Sequence, residues 1–97
     1  MRRDGNEQSI AEVFREMLKR YRLDHKYRQA EVLSAWNELT DKTVNNHVSE
    51  IRLRGKVLVV KFDTAVLKHE YSFAKSKLTE LINLKVGYDA IETIEFS

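Results

Sequence analysis

Residues 50 to 62 constrain the fold more than any other part of this chain. Apolar Ile51 and Leu53 alternate with charged Glu50, Arg52 and Arg54. Gly55-Lys56 follows, and then the β-branched run Val57-Leu58-Val59-Val60-Lys61-Phe62. Alternation with a period of two is the signature of a strand with one buried face, and a glycine between two such runs marks the turn of a hairpin. A two-residue loop at Gly55-Lys56, with glycine at the first central position of a type II′ turn, sets the register. It pairs Arg54 with Val57, Leu53 with Leu58, Ile51 with Val60 and Glu50 with Lys61. Ile51, Leu53, Leu58, Val60 and Phe62 then share an inner face. The outer face carries Arg52, Arg54, Val57, Val59 and an opposite-charge Glu50–Lys61 pair.

The segments on either side have helical periodicity. Ser9 is a good N-cap, and Glu12 three residues on completes a capping box. Behind it, Ile10, Val13, Phe14, Met17, Leu18 and Tyr21 fall on one stripe of a helix ending near Leu23. Asp24 caps a second helix from about His25 to Leu39, with Tyr27, Ala30, Val32, Leu33, Trp36 and Leu39 on a broad buried face. Thr40-Asp41 reads as a break, with a short helical turn reaching about His47. After the hairpin, Asp63 or Thr64 caps a third long helix in which Leu67, Tyr71, Ala74, Leu78 and Leu81 step by four and three, and which lies on the inner face of the sheet. Gly87 supplies a permissive backbone in the next connection, and Ile91 to Phe96 forms a last strand with Ile94 and Phe96 inward. The expected architecture is α+β, in the order α-α-β-β-α-β, with helices packed on one face of a small three-stranded antiparallel sheet. Residues 1–8 are expected to be a short flexible N-terminus and residues 9–97 a single domain.

Composition sets the outer limits. A chain of 97 residues buries roughly 60 to 65% of its unfolded surface, enough for one core. With 42% hydrophobic and 33% charged residues it reads as a globular domain. Zero cysteines remove disulfides, thiolate zinc sites and thiolate-held iron–sulfur clusters. No apolar run approaches the ~20 residues of a membrane span, and the first residues lack a signal-peptide core, so a cytoplasmic location is expected. The net charge of +2 is too small to point to nucleic acid, but it is unevenly sorted. From Arg15 to Arg28, six basic residues (Arg15, Lys19, Arg20, Arg22, Lys26, Arg28) face two acidic ones, Glu16 and Asp24. From Val48 to Lys61, Arg52, Arg54, Lys56 and Lys61 face Glu50 alone, whereas Phe62 to Ser97 is net acidic.

No constellation of an enzyme can be drawn. His25, His47 and His69 are far apart, and His69-Glu70 fails as a metalloprotease helix because Phe73 stands where the second histidine must be. Gly5, Gly55 and Gly87 build neither a P-loop nor a dinucleotide fingerprint, nor the glycine clamp by which ordinary KH domains hold a nucleic-acid backbone. No catalytic residue, cofactor or metal is therefore expected. Trp36, three residues after Leu33 and four after Val32, reads as core rather than as a stacking platform. Lys19, Arg20, Arg22, Lys26, Arg28, Arg52, Arg54 and Lys56 have two readings. They are either a solvated face laced with local pairs such as Glu16–Arg20, or a groove that contacts phosphates with weak sequence preference and steep salt dependence. Arg52, Arg54, Val57 and Val59 form a mixed basic and apolar sheet face that is a candidate for docking a partner.

These elements resemble the DciA-like family over Gln8 to Phe96. The residues that carry the resemblance are Gln8-Ser9-Ile10 with Val13-Phe14, then Val32, Ala35 and Trp36 in the second helix, and His47 before the hairpin Ile51 to Val60. Asp63 to Glu70 and the closing Ile91 to Phe96 complete it. The chain departs from the family pattern at Leu39-Thr40-Asp41, where a glycine is common, and at Leu67, where a tryptophan is common. The resemblance implies a KH-like fold, a non-enzymatic part in loading or operating a replicative DnaB-type helicase, and some affinity for DNA. Two other readings stay open: a general nucleic-acid-binding adaptor, and a structural domain that self-associates through the Val57/Val59 face.

Overall fold

The computed structural model describes residues 9–20 and 24–97, apart from the side chain of Leu18. Its elements are α1 (Ile10–Arg20), α2 (Asp24–Leu39), α3 (Lys42–Asn45), β1 (Val48–Arg54), β2 (Val57–Phe62), α4 (Ala65–Ser72), α5 (Lys75–Val86) and β3 (Thr93–Phe96). The capping box forms as the sequence requires. The Glu12 backbone N–H donates to Ser9 Oγ at 3.2 Å, and the Ser9 N–H to Glu12 Oε1 at 3.1 Å. Asp41 caps α3 by accepting from the Val44 N–H at 2.8 Å, and Thr64 caps α4. The expected end of the first helix near Leu23 lies outside the described residues, as do residues 1–8.

The hairpin has the expected register, Arg54 opposite Val57, Leu53 opposite Leu58, Ile51 opposite Val60 and Glu50 opposite Lys61, with an irregularity between Val48 and Glu50. Gly55 sits at φ +61°, on the side of conformational space that glycine enters at least cost. Leu53, Leu58, Val60 and Phe62 are buried on the inner face with Val32, Ala35 and Trp36 of α2, Leu78 and Ile82 of α5, and Ala90, Ile91 and Ile94. Trp36 is 1% exposed, which makes it core. Its ring lies 6.0 Å from Tyr71 and 6.3 Å from Phe96, and its indole N–H donates to Asn45 Oδ1 at 2.7 Å. One side chain of α2 thus ties α3, α4 and β3 together.

Three features of the architecture differ from the sequence reading. The sheet is mixed: in the order β1-β2-β3, the central β2 runs antiparallel to β1 but parallel to β3. The cause is the connection. The chain leaves β2, crosses the sheet as helix and re-enters from the starting end, and such a crossover delivers a parallel neighbour. β3 begins at Thr93 rather than Ile91, although Ile91 is fully buried beside it.

The expected third long helix is two, α4 and α5, broken at Phe73-Ala74. There the Phe73 N–H bonds Glu70 O at 3.3 Å and the Ala74 N–H bonds Tyr71 O at 3.0 Å, while the Ser72 hydroxyl donates to His69 O at 2.6 Å. These i to i−3 bonds tighten the last turn. The buried stripe consequently shifts by one position, so that Leu78 and Ile82, rather than Leu78 and Leu81, sit deepest. α5 ends at Gly87, left-handed at φ +90°.

A candidate nucleic-acid and partner interface

The first turns of α2 carry His25, Arg28 and Gln29 at spacings of three and four, which puts them on one helix face. All three reach the hairpin. Gln29 Oε1 accepts from the Leu53 N–H at 2.8 Å, His25 Nε2 donates to Leu53 O at 2.8 Å, and Arg28 Nη2 donates to Gly55 O at 2.8 Å. The other arm of Arg28 holds Asp24 at 2.9 Å. The side chains of α2 therefore supply the partners that a further strand would give the β1 edge at Leu53, blunting an edge open to unwanted pairing. The clamp also decides where charge goes. It fastens the turn bearing Lys56 to the helix start bearing Lys26 and Arg28, so two basic segments distant in sequence meet at one end of the domain.

The candidate phosphate-binding residues then divide into two groups. Lys19, Arg20, Lys26 and Lys56 are exposed, and none makes an ion pair among the described residues. Arg28 is committed to the clamp, Arg52 pairs with Glu50 at 2.9 Å, and Arg54 pairs with Glu95 at 3.0 Å. Arg22 lies outside the described residues. Glu50 and Lys61 are opposite one another as expected, but the carboxylate is bound by Arg52 two residues along the same strand.

The outer sheet face combines basic and apolar side chains as expected, with its valines largely covered. Val59 is only 9% exposed and Val57 is half-buried. The parallel β3 places Glu95 beside Val59 and Thr93 beside Val57. The Arg54–Glu95 ion pair consequently spans the central strand between the two valines. Arg52, Arg54, Val57 and Val59 share a face as expected, but that face is a charged lattice over small apolar side chains.

Two linkages were invisible in the sequence. Asn83 on α5 accepts from the N–H groups of Ala90 and Ile91 at 2.9 and 3.1 Å and donates to Ile91 O at 2.9 Å, which fixes the entry to β3. Tyr88 donates its hydroxyl to Glu31 at 2.7 Å beneath the Arg15 guanidinium, 4.0 Å from the ring centre. Burial first, and then the Glu31 carboxylate, push the Tyr88 pKa up to about 12. Among the described residues no group of three or more His, Asp or Glu side chains could hold a metal ion, and no helix is long and apolar enough to cross a membrane. His25 is taken up by the clamp, and His47 pairs with Asp63 at 3.0 Å on the surface. The surface clefts are open to solvent. One of about 380 Å³ between α2 and α5 is bridged by Lys85–Glu38 at 2.7 Å, and one of about 400 Å³ beside α4 is lined by Lys68, His69, Ser72 and Lys75.

Comparison with curated proteins and with solved structures gives no match. A family model described as Dna[CI] antecedent, DciA, matches residues 9–96, nearly the whole chain. The capped first helix, the buried tryptophan of α2, the glycine-turn hairpin and the closing strand all lie within that match, and the chain belongs to the DciA family.

Proposed function

We propose that this chain is a non-enzymatic accessory protein of DNA replication that helps to load or operate a DnaB-type replicative helicase in the cytoplasm, holding DNA weakly while it does so. The family match over residues 9–96 carries the reading. The geometry supports the DNA component: the α2–hairpin clamp gathers Lys26 and Lys56 at one end, and Lys19 and Arg20 close the preceding helix. Exposed basic side chains suit sequence-independent phosphate contact, whose strength falls steeply with salt. The helicase contact is assigned to the protein's surfaces rather than to a pocket, and the charged outer face of Arg52, Arg54 and Glu95 suits a polar partner. Calorimetric titration of the helicase from the same organism tests the reading. Saturable binding in the micromolar range is expected, and no heat at tens of micromolar of either protein would overturn it.

A further inference from the structure

We propose that the apolar stripe of α1 is a self-association surface, on which α1 of a second copy lies antiparallel about a two-fold axis passing one position beyond Met17. The inference does not rest on the replication role. Along α1, Ile10 is 86% exposed, Val13 55%, Phe14 36% and Met17 44%, although their spacing is that of a helix face built for burial. The described part of the helix, Ile10–Arg20, has 11 residues, and a helix of that length needs a packed face to be stable in water. Among the described residues its side-chain ring contacts to the domain are two: Phe14 meets the ring of Tyr27 edge-on at 5.1 Å, and Arg15 covers Tyr88. Tyr27 is itself exposed and extends the patch onto α2.

Charge identifies the occupant. The first turn of α1 carries Glu12 and the last turn Lys19 and Arg20, so two copies attract when they run antiparallel and repel when they run parallel. On a helical projection Glu16 and Arg20 fall on the flank beside Val13. About a two-fold axis like flanks meet. With the axis level with the backbone of residue 18, one position past Met17, Glu16 of each copy faces Arg20 of the other, and the two Met17 side chains lie on either side of the centre. The four apolar side chains leave on the order of 400 Å² per copy in water, and a pair would bury about twice that, below the standard size for a stable complex. The dimer is therefore weak and depends on concentration.

Sedimentation equilibrium from about 5 to about 500 µM brackets the affinity that such an area supports. The apparent mass should climb from 11.4 kDa toward twice that value. Met17→Asp should stay monomeric throughout, with an unchanged far-ultraviolet spectrum. Glu16→Arg and Arg20→Glu should each be monomeric alone, because each places like charges on the facing flanks, and an equimolar mixture of the two should associate. A monomer at every concentration would overturn the proposal, even if Met17→Asp abolished helicase binding, since the stripe would then belong to that partner. Dimers that survive Met17→Asp, or mixed charge variants that fail to associate, would overturn it equally.

Discussion

Replacing Trp36 with phenylalanine is the sharpest test of how the core is joined. The indole N–H is the donor to Asn45 Oδ1 at 2.7 Å, and no phenylalanine atom can replace it. Asn45 spends its amide on Thr40 Oγ1 at 3.0 Å and Asp41 O at 3.1 Å, so its carbonyl oxygen would keep its position but lose its donor. Leaving such an acceptor unsatisfied costs about 1–3 kcal/mol. The smaller ring also vacates space between Tyr71 and Phe96. Complete removal of a buried tryptophan costs about 3–5 kcal/mol, and keeping a six-membered ring recovers a large part of that. The combined loss expected for Trp36→Phe is about 2–4 kcal/mol, against roughly 5–15 kcal/mol for a domain of this kind. Urea unfolding followed by far-ultraviolet circular dichroism would read it as a lower midpoint at an unchanged slope. Asn45→Ala should cost less, about 1–2 kcal/mol, and the double variant should lose less than the sum because the two residues share one bond. A Trp36→Phe loss below about 0.5 kcal/mol would refute the reasoning. So would intact stability accompanied by lost DNA binding, which would make the ring a stacking platform after all.

Other consequences are local. Gln29→Ala removes the acceptor of the Leu53 N–H at the β1 edge and should cost about 1–2 kcal/mol. Amide exchange at Leu53 should speed up in that variant, and unaltered protection would mean that the clamp carries no weight. Gly55→Ala meets no atom within 4 Å, so its expected cost of about 1–2 kcal/mol arises from the φ of +61° alone; a midpoint equal to that of the parent would show that the turn relaxes freely. The hydroxyl of Tyr88 has its pKa raised from 10.0 to about 12 in the folded protein. Since the unfolded chain releases this proton first, stability from this group is complete below pH 10 and is lost as the pH rises toward 12. Tyr88→Phe should therefore flatten the decline in urea midpoint over that alkaline window, and an identical decline in both proteins would count against the Tyr88–Glu31 contact.

What could be read from the sequence was whatever a local period or cap dictates. Ser9 with Glu12, the break at Asp41, the glycine turn and the hairpin pairings from Glu50–Lys61 to Arg54–Val57 follow from neighbouring residues, and the structure contains all of them; the irregularity at Val48 does not follow. The parallel direction of β3 did not follow, because it depends on how the chain crosses the sheet, and the strand itself reads the same in either direction. The break at Phe73 was hidden because Leu67, Tyr71, Ala74 and Leu78 fit a continuous helix; the Ser72 hydroxyl bond to His69 O is a faint local signal at best. The same limit applies to the candidate interface. Sequence alone could sort charge into two basic segments, but their meeting needs the Arg28 to Gly55 bond, and the exposure of Val59 needed knowledge of its other neighbour, Glu95. His25 and Gln29, polar residues on a helix otherwise read for its apolar face, were the available hint that α2 grips a strand edge.

The most direct test of the replication role is a loading measurement. The helicase from the same organism is offered a labelled single-stranded DNA circle, which has no end to thread, with and without this chain. The account predicts that the chain raises both the amount of helicase bound to the circle and the rate at which it binds. It also predicts that Lys26→Glu combined with Lys56→Glu weakens that effect at moderate salt while leaving helicase binding intact. Loading that is the same with and without the chain, at concentrations where the two proteins bind one another, would contradict it.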